Sequence, residues 1–236
     1  MEQVTIITKH GKDQILKDIF AEAGFDLVKF ETDTDQFGTF TGEIPRLKDQ
    51  IETAKDKIRS QLDSIQTRYI VSSEGAFFPD PRMPLMPLNR ELIVLYDREQ
   101  DQWIVGQAES HETNYDGIWA ETVEQVIDFA YGVEFPHTKI ILSTKPKSSK
   151  NWKDAETEQE LRDQWNQGTG LFTRKLWIET DMRADRNHLR PAVIREAAQS
   201  CLETWKRTCP QCQSPGFRVE DQLPGLPCKQ CGSRTS

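Results

Sequence analysis

Residues 4–31 read VTIITKHGKDQILKDIFAEAGFDLVKFE, and the alternation of patterns in this stretch decides the fold class. The apolar, β-branched run Val4–Thr8 predicts a strand. After a polar loop at residues 9–12, apolar residues recur at helical spacing over residues 15–23. The run Phe25–Glu31 then alternates like a second strand. This strand–helix–strand order predicts an α/β protein.

The rest of the chain continues the same alternation. Apolar positions over residues 51–65 predict a long helix, and Tyr69–Ser72 predicts a short buried strand that ends in Ser73-Glu74-Gly75. Residues 91–96 and 103–108 predict an antiparallel hairpin. The remaining expected elements are helices near residues 119–130, 155–166 and 187–206, and strands at residues 139–142 and 174–180. We therefore expect a mixed sheet flanked by helices.

The charge of the chain is divided unevenly along its length. The net charge is −8, which by itself argues against nucleic acid as a partner. However, residues 1–136 hold 26 acidic and 13 basic side chains, whereas residues 137–236 hold 12 acidic and 17 basic ones. This division indicates two units with different roles, although chance and solvated helix faces are the plain alternative.

Composition favours a globular protein outside the membrane. Apolar residues make up 36% and charged residues 29% of the chain. The longest apolar runs, such as Leu92–Tyr96, are far shorter than the roughly 20 residues of a membrane-spanning helix. The beginning MEQVTIITKH lacks the basic and then apolar pattern of a secretory signal. We therefore expect a cytoplasmic protein without a membrane partner.

All five cysteines lie in the last 36 residues, and four of them form two Cys-x-x-Cys pairs. Such pairs supply the tetrahedral sulfur set of a structural zinc site. The predicted ligands are Cys209, Cys212, Cys228 and Cys231. Disulfides are the alternative, but nothing in the sequence suggests secretion. Cys201 lies on the preceding predicted helix and is interpreted as a packing residue.

These patterns divide the chain into three predicted units. Residues 1–144 are expected to form the α/β domain, and residues 145–207 a helical and strand extension that begins at a stretch rich in Lys, Ser and Pro. Residues 208–236 are expected to form a zinc ribbon.

Polar residues after predicted strands form the candidate site. The first loop combines free helix amides, a hydroxyl and basic side chains suited to phosphate, in Thr8, Lys9, His10 and Lys12. Glu52 and Lys57 on the long helix suit a metal and a phosphate, although an ion-paired solvated face is an equally good interpretation. Glu74 at a strand end is well placed to hold Mg²⁺, with an ordinary turn as the alternative.

The order of these motifs resembles the inosine/xanthosine triphosphate pyrophosphatase superfamily. That family has Thr-x-Asn-x-x-Lys after its first strand, Glu-Asn-Ala-x-x-Lys on a helix, and Asp-Ser-Gly or Glu-Ala-Gly at a strand end. The matching positions are Thr8, His10 and Lys12, with one residue missing from the spacing, then Glu52, Ala54 and Lys57, with Thr53 in place of Asn, then, in part, Glu74 and Gly75. The resemblance covers about residues 3–115, with His10 standing where the family has Asn.

The resemblance implies a two-lobed α/β fold, often dimeric, that cleaves nucleoside triphosphates to monophosphate and pyrophosphate with Mg²⁺. By this resemblance Glu52 and Glu74 hold metal and orient water, and Lys12 and Lys57 neutralise the triphosphate. The loop that follows the second predicted strand offers further metal ligands or a lid, or is a plain surface loop. Its candidate residues are Asp33, Asp35 and Glu43.

The whole chain also resembles a group of bacterial proteins of unknown function that carry a terminal zinc ribbon. Shared segments include Asp-Thr-Asp-Gln-Phe-Gly-Thr-Phe, Ser-Glu-Gly and Asp-Met-Arg-Ala. In the last of these regions, Arg183 and Arg190 can present guanidinium groups to phosphate. Structural ion pairing with Asp181 and Asp185 is the alternative.

Two functional hypotheses follow. The first is a Mg²⁺-dependent hydrolase of a nucleotide or another phosphorylated ligand. The second is a nucleotide-sensing or nucleic-acid-binding module without catalysis, in which the basic C-terminal half contacts the nucleic acid.

Overall fold

The computed structural model describes residues 1–9, 11–33, 49–146, 148–170, 173–219 and 225–234. Within these residues the chain forms two sheets and five helices, and no helix among them combines the length and apolar character needed to cross a membrane. The elements in chain order are β1 (Glu2–Ile7), α1 (Lys12–Glu22), β2 (Phe25–Phe30), α2 (Gln50–Arg59), β3 (Tyr69–Pro79), β4 (Pro87–Asp97), β5 (Gln102–Ser110), β6 (Gly117–Ala120), α3 (Val123–Gly132), β7 (Ile140–Ser143), β8 (Asn151–Trp152), α4 (Glu158–Gly168), β9 (Leu176–Thr180) and α5 (Arg190–Lys206).

The first sheet is mixed and has the strand order β2-β1-β3-β4-β5. Strand β1 is parallel to β2 along its whole length, but it pairs with β3 only from Val4 to Ile6. Strands β3, β4 and β5 form a long antiparallel meander. The expected mixed sheet flanked by helices is therefore confirmed, and β3 extends well beyond the end of its parallel neighbour.

Helices cover both faces of the first sheet. Helices α1 and α5 pack on one face, around a core that includes Phe20, Ile93, Ile194 and Ala197. Helix α2 packs on the other face, around a core that includes Ala54, Ile58, Ile70 and Leu92. Because the alternate residues of β4 point to opposite faces, this strand contributes to both cores.

The second sheet is antiparallel and has the strand order β6-β9-β7-β8. Helices α3 and α4 form its core with Ala120, Leu142, Leu176 and Ile178. Strands β7 and β9 pair in this sheet although they come before and after residue 144 in sequence. A capping box at Thr157, in which Glu160 also takes part, begins α4.

Several elements differ from the sequence expectation. Helix α2 ends at Arg59 although the helix was expected to continue to residue 65, and the short strand β8 was not expected. Strand β3 continues through Ser73, Glu74 and Gly75 to Pro79, because β4 pairs with it along all eleven residues. The segment expected to be helical from residue 119 instead begins as strand β6, which pairs with β9. Helix α3 begins only after Thr122, whose side chain accepts a hydrogen bond from the Gln125 amide.

The contact between α5 and β5 depends on Gly106. A Cβ atom at this position would lie 2.1 Å from Cys201 N and 2.4 Å from Ala197 O, which are backbone atoms of α5.

Gly106→Ala is therefore expected to lower the free energy of unfolding by at least about 1–3 kcal/mol in urea denaturation. In the control Gly132→Ala, the new Cβ meets no atom within 4 Å. Similar losses in both variants would contradict this account of the helix–strand contact.

Candidate functional site

The candidate site lies where β3 runs past the end of β1. The β1–β3 ladder stops at the Ile6–Val71 pair, so Ser72–Gly75 extend beyond β1. After β1 the chain turns back through Gly11, which has a φ of 66° and precedes the first residue of α1. This left-handed conformation favours glycine. The turn brings the beginning of α1 beside the extended part of β3.

Lys12, the first residue of α1, reaches across to β3. Its Nζ donates a hydrogen bond of 2.9 Å to Ser73 Oγ. Burial lowers the pKa of Lys12 to about 7, while the negative charge of Glu91 opposes this shift and the positive charge of Arg190 adds to it. Lys12 is therefore a cation held in an environment that disfavours its charge.

Lys57 on α2 approaches the same segment from the other face of the sheet. It forms an ion pair with Glu74, and both side chains are at least nine-tenths buried. Its Nζ also lies 3.4 Å from the backbone oxygen of Ser73. Lys12, Lys57 and Glu74 come from three separate elements, and the structure brings all three together around Ser73.

A second buried ion pair, Arg190–Glu91, adjoins this cluster. Arg190 Nε donates to Glu91 Oε1 at 2.8 Å, Nη2 lies 2.6 Å from the same oxygen, and each side chain is only 1% exposed. Gly75 lies opposite Glu91 in the β3–β4 ladder. A Cβ on Gly75 would come within 2.7 Å of both charged groups, so only glycine leaves room for the pair.

Glu91 is the residue of this cluster that the sequence did not reveal. It begins the apolar run Glu91–Tyr96 and was interpreted only as part of a hairpin strand. The signal that could have found it is a carboxylate entering a strand that is otherwise buried on both faces. A buried carboxylate requires a partner, and the arginine that supplies it is 99 residues away in sequence.

Glu52 lies on the ion-paired side of α2. Its carboxylate accepts hydrogen bonds from Lys55 at 3.0 Å and from Arg59 at 3.1 Å, and these bonds lower the pKa of Glu52. The side chain is 39% exposed. This arrangement is the solvated helix face that the sequence left open as an interpretation.

The other predicted residues of the N-terminal loops are only partly described. Thr8 is buried, and its amide donates to the Phe30 carbonyl at 3.2 Å. Lys9 forms a 3.0 Å ion pair with Asp33. The predicted site residues His10, Asp35 and Glu43 lie outside the described residues.

The two arginines predicted to bind phosphate, Arg183 and Arg190, have acidic partners. Arg183 forms ion pairs with Asp181 and with Asp154, the latter at 2.7 Å. Burial opposes the charge of Arg183, but these carboxylates outweigh it and raise its pKa. The predicted phosphate ligand Arg190 donates hydrogen bonds to the Glu91 carboxylate and to the Met182 carbonyl.

The Cys-x-x-Cys segments form two turns of the same design. Cys209 N–H donates to Ser214 O at 2.8 Å, and Gln213 N–H returns to Cys209 O at 2.9 Å. The second turn repeats this pattern among Cys228, Ser233 and Gly232, with bonds of 2.7 and 2.9 Å. Residues Gln213 and Gly232 share a positive φ.

The second cysteine of each pair has a lowered thiol pKa, whereas the fifth cysteine, Cys201, has a raised one. Hydrogen bonds from the hydroxyl and the amide of Ser214 lower the pKa of Cys212 to about 7, and those of Ser233 lower the pKa of Cys231. Burial instead raises the pKa of Cys201 to about 12. Among the described residues, no three His, Cys, Asp or Glu side chains are grouped closely enough to hold a metal, so each pair stands by itself.

The first cysteine turn leads into a segment that contacts the edge strand of the first sheet. Gln102 Nε2 donates to Pro215 O at 2.5 Å, and Arg218 Nη1 donates to Val105 O at 2.6 Å. The segment 215–218 is therefore held against β5 by two hydrogen bonds. One is accepted by a backbone oxygen of the segment and the other by a backbone oxygen of β5.

The fold and the site together define a two-sheet α/β protein with a buried cluster of opposite charges at the end of its first strand. The chain belongs to the family described as domain of unknown function DUF6671, whose model matches residues 57–236. This range contains Lys57, Glu74, Glu91 and Arg190 of the cluster, whereas Lys12 precedes it. No curated protein matches the chain.

The lowered pKa of Lys12 predicts a specific pH dependence of stability. Between about pH 7 and pH 10, the unfolded chain binds a proton at Lys12 that the folded chain releases, so folding stability rises with pH. Relative to Lys12→Met, the wild type should gain about 1–3 kcal/mol over this interval. Urea denaturation in the presence of a chelator measures the difference. A difference that stays constant with pH would show that Lys12 titrates at its ordinary value.

Proposed function

We propose that this protein is a metal-dependent hydrolase of a nucleotide or another phosphorylated ligand. The observation that carries the proposal is the convergence of Lys12, Lys57 and Glu74 around Ser73. The resemblance to the inosine/xanthosine triphosphate pyrophosphatase superfamily assigns these three residues to one site. It also directs the proposal toward cleavage of a nucleoside triphosphate to monophosphate and pyrophosphate.

The electrostatics of the cluster support an anionic ligand. Burial disfavours the cationic form of Lys12, and the charges of Arg190 and Lys57 add to this effect, whereas Glu91 and Glu74 oppose it. A phosphate group beside Lys12 would add negative charge, so binding would raise the pKa of Lys12 and be accompanied by proton uptake. In this proposal Lys12 and Lys57 bind and orient the phosphate chain.

The donor set is compatible with Mg²⁺. This ion prefers carboxylate oxygens, keeps several water molecules, and is typically bound by one or two carboxylates together with substrate phosphates. Glu74 provides such a carboxylate, positioned by Lys57. When bound, Mg²⁺ supplies charge neutralisation and lowers the pKa of a bound water. Glu52 is the further acidic residue that the resemblance implies.

Hydrolysis assays test this proposal directly. The purified protein is incubated with Mg²⁺ and a panel of standard and deaminated nucleoside triphosphates, and released phosphate and pyrophosphate are measured. Lys12→Met and Glu74→Gln are expected to lower kcat/KM by at least about 100-fold, because each removes a charge that acts on the reacting phosphate.

Lys17→Met is the matched control, since Lys17 lies exposed on the same helix as Lys12. It should retain wild-type kcat/KM. The hydrolase proposal fails if folded wild-type protein releases neither product from any nucleotide in the panel.

We also propose that Cys209, Cys212, Cys228 and Cys231 bind one structural zinc ion. The two cysteine turns share a backbone hydrogen-bonding pattern, and each directs a hydroxyl and an amide to its second sulfur. Four cysteine ligands would fill the coordination of zinc and leave no position for a substrate, so this metal would stabilise structure only.

Elemental analysis of the purified protein tests the zinc proposal. The wild type is expected to contain about one zinc per chain. Cys209→Ser should lose most of it, because three remaining ligands bind zinc far more weakly. Cys201→Ala is the control, since this thiol lies on α5 and is buried against β5, away from the two cysteine turns in sequence. Zinc retained in full by Cys209→Ser would rule out the assigned ligands.

A further inference from the structure

The segment that carries the cysteine turns has a charge opposite to that of the rest of the chain. Residues 204–236 hold five basic and two acidic side chains, a net charge of +3, whereas residues 1–203 carry −11. A basic region on an acidic molecule attracts anionic partners to that region. The five basic residues are Lys206, Arg207, Arg218, Lys229 and Arg234.

Arg207 differs from the arginines that the sequence assigned to phosphate. Arg183 and Arg190 are both paired with carboxylates, and Arg190 is only 1% exposed. Arg207 follows the last residue of α5, its side chain is exposed, and it forms no ion pair with any residue that the structure describes. Its guanidinium group can therefore bind an anion from solution.

Arg207 and Arg218 line the same cleft beside the edge strand β5. The cleft has a volume of about 450 Å³, and Gln107, Ser200 and Thr204 add polar side chains to its wall. No carboxylate belongs to the lining among the residues that the structure describes. Two guanidinium groups in a cleft without a carboxylate suit a phosphate, because each can donate paired hydrogen bonds to its oxygens.

The chain around the first cysteine turn holds the two arginines in place. Arg218 Nη1 donates to Val105 O at 2.6 Å, which fixes the guanidinium against β5. Phe217 N–H donates to Arg207 O at 3.0 Å, so the backbone after the turn is joined to the backbone at the end of α5. A site that is ordered before binding loses less entropy when a ligand arrives.

Phe217 indicates which kind of anion this site takes. Its side chain is 53% exposed, although it lies next to Arg218 in sequence and its backbone is bonded to Arg207. Exposed aromatic rings among basic side chains are the platforms on which the bases of single strands stack. A small inorganic anion offers such a ring nothing to contact, and a duplex keeps its bases stacked on each other.

We propose that Arg207, Arg218 and Phe217 form a binding site for single-stranded nucleic acid. The phosphate backbone binds to the two arginines, and a base stacks on Phe217. No residue of the cluster around Ser73 lines this cleft, so the inference is independent of the proposed hydrolase function.

Fluorescence anisotropy with a labelled oligothymidylate and the full chain tests this site. Binding by the wild type is expected to weaken steeply between about 50 and about 200 mM salt. Arg207→Glu should weaken binding by at least about tenfold and make the salt dependence shallower, because a phosphate contact is lost. Phe217→Ala should weaken binding by at least about fivefold, because a stacked base is lost.

Each variant has a matched control. Arg174→Glu makes the same charge change at an exposed arginine just before β9, and Tyr131→Ala removes an exposed aromatic ring from α3. Both controls should bind the oligonucleotide as the wild type does. Arg207 and Phe217 are themselves exposed, so their variants should remain folded by circular dichroism.

Four results would overturn the site. They are no binding by the wild type, equal losses in Arg207→Glu and Arg174→Glu, binding of anionic phospholipid vesicles but not of the oligonucleotide, and full competition by inorganic phosphate at equal phosphate concentration. Wild-type binding by an Arg207→Glu variant of lowered unfolding free energy would assign Arg207 to stabilising the end of α5 instead. Arg207→Glu should leave nucleotide hydrolysis unchanged, so the two proposals can fail separately.

Discussion

The buried ion pair between Arg190 and Glu91 connects two elements that lie 99 residues apart in sequence. It joins the start of α5 to strand β4, and α5 in turn packs along β4 and β5. Removing one partner of a buried pair typically costs about 3–5 kcal/mol, whereas replacing both by apolar residues is often neutral. Stability alone therefore does not explain why two charges occupy this position. Their place beside Lys12 would give them a role at the phosphate site that we propose.

The cluster around Ser73 gathers charges of both signs. Three cations and two carboxylates meet there, and burial holds the pKa of Lys12 near 7. A charged group that is paired only for structure normally has its charged form favoured, as with Arg183 between Asp181 and Asp154. The opposite shift at Lys12 distinguishes this cluster from the ion pairs elsewhere on the molecule. Under the proposed function, a bound phosphate would reverse this shift.

The convergence of Lys12, Lys57 and Glu74 was predictable because two parallel strands end at the same edge of a sheet. Residues that follow β1 must then lie near residues that continue β3. The length of β3 was not predictable in the same way, since its polar segment Ser72–Gly75 has no periodicity that favours a strand. Its pairing with β4, a tertiary contact, decides its conformation.

Glu91 and the beginning of α3 illustrate two further limits of the sequence. A lone carboxylate at the start of an apolar run indicates that a partner is needed, but it does not identify the partner, because the arginine that pairs with it lies far along the chain. Residues Gly117–Ala120 form a strand only because β9 lies beside them, although their composition also suited a helix. The local hydrophobic pattern therefore predicted whether most elements are helices or strands. The other elements take their conformation from contacts with residues that are distant in sequence.

The division of charge along the chain takes on a different meaning in the folded structure. The acidic N-terminal part and the basic C-terminal part were interpreted as two units with separate roles. The structure places α5, which belongs to the basic part, on the face of the first sheet, and Arg190 contributes its charge to a cluster of carboxylates from the acidic part. Arg190, a basic residue of the C-terminal part, is therefore withdrawn from the surface. A prediction of binding partners from surface charge must therefore exclude both Arg190 and Glu91, because both side chains are buried.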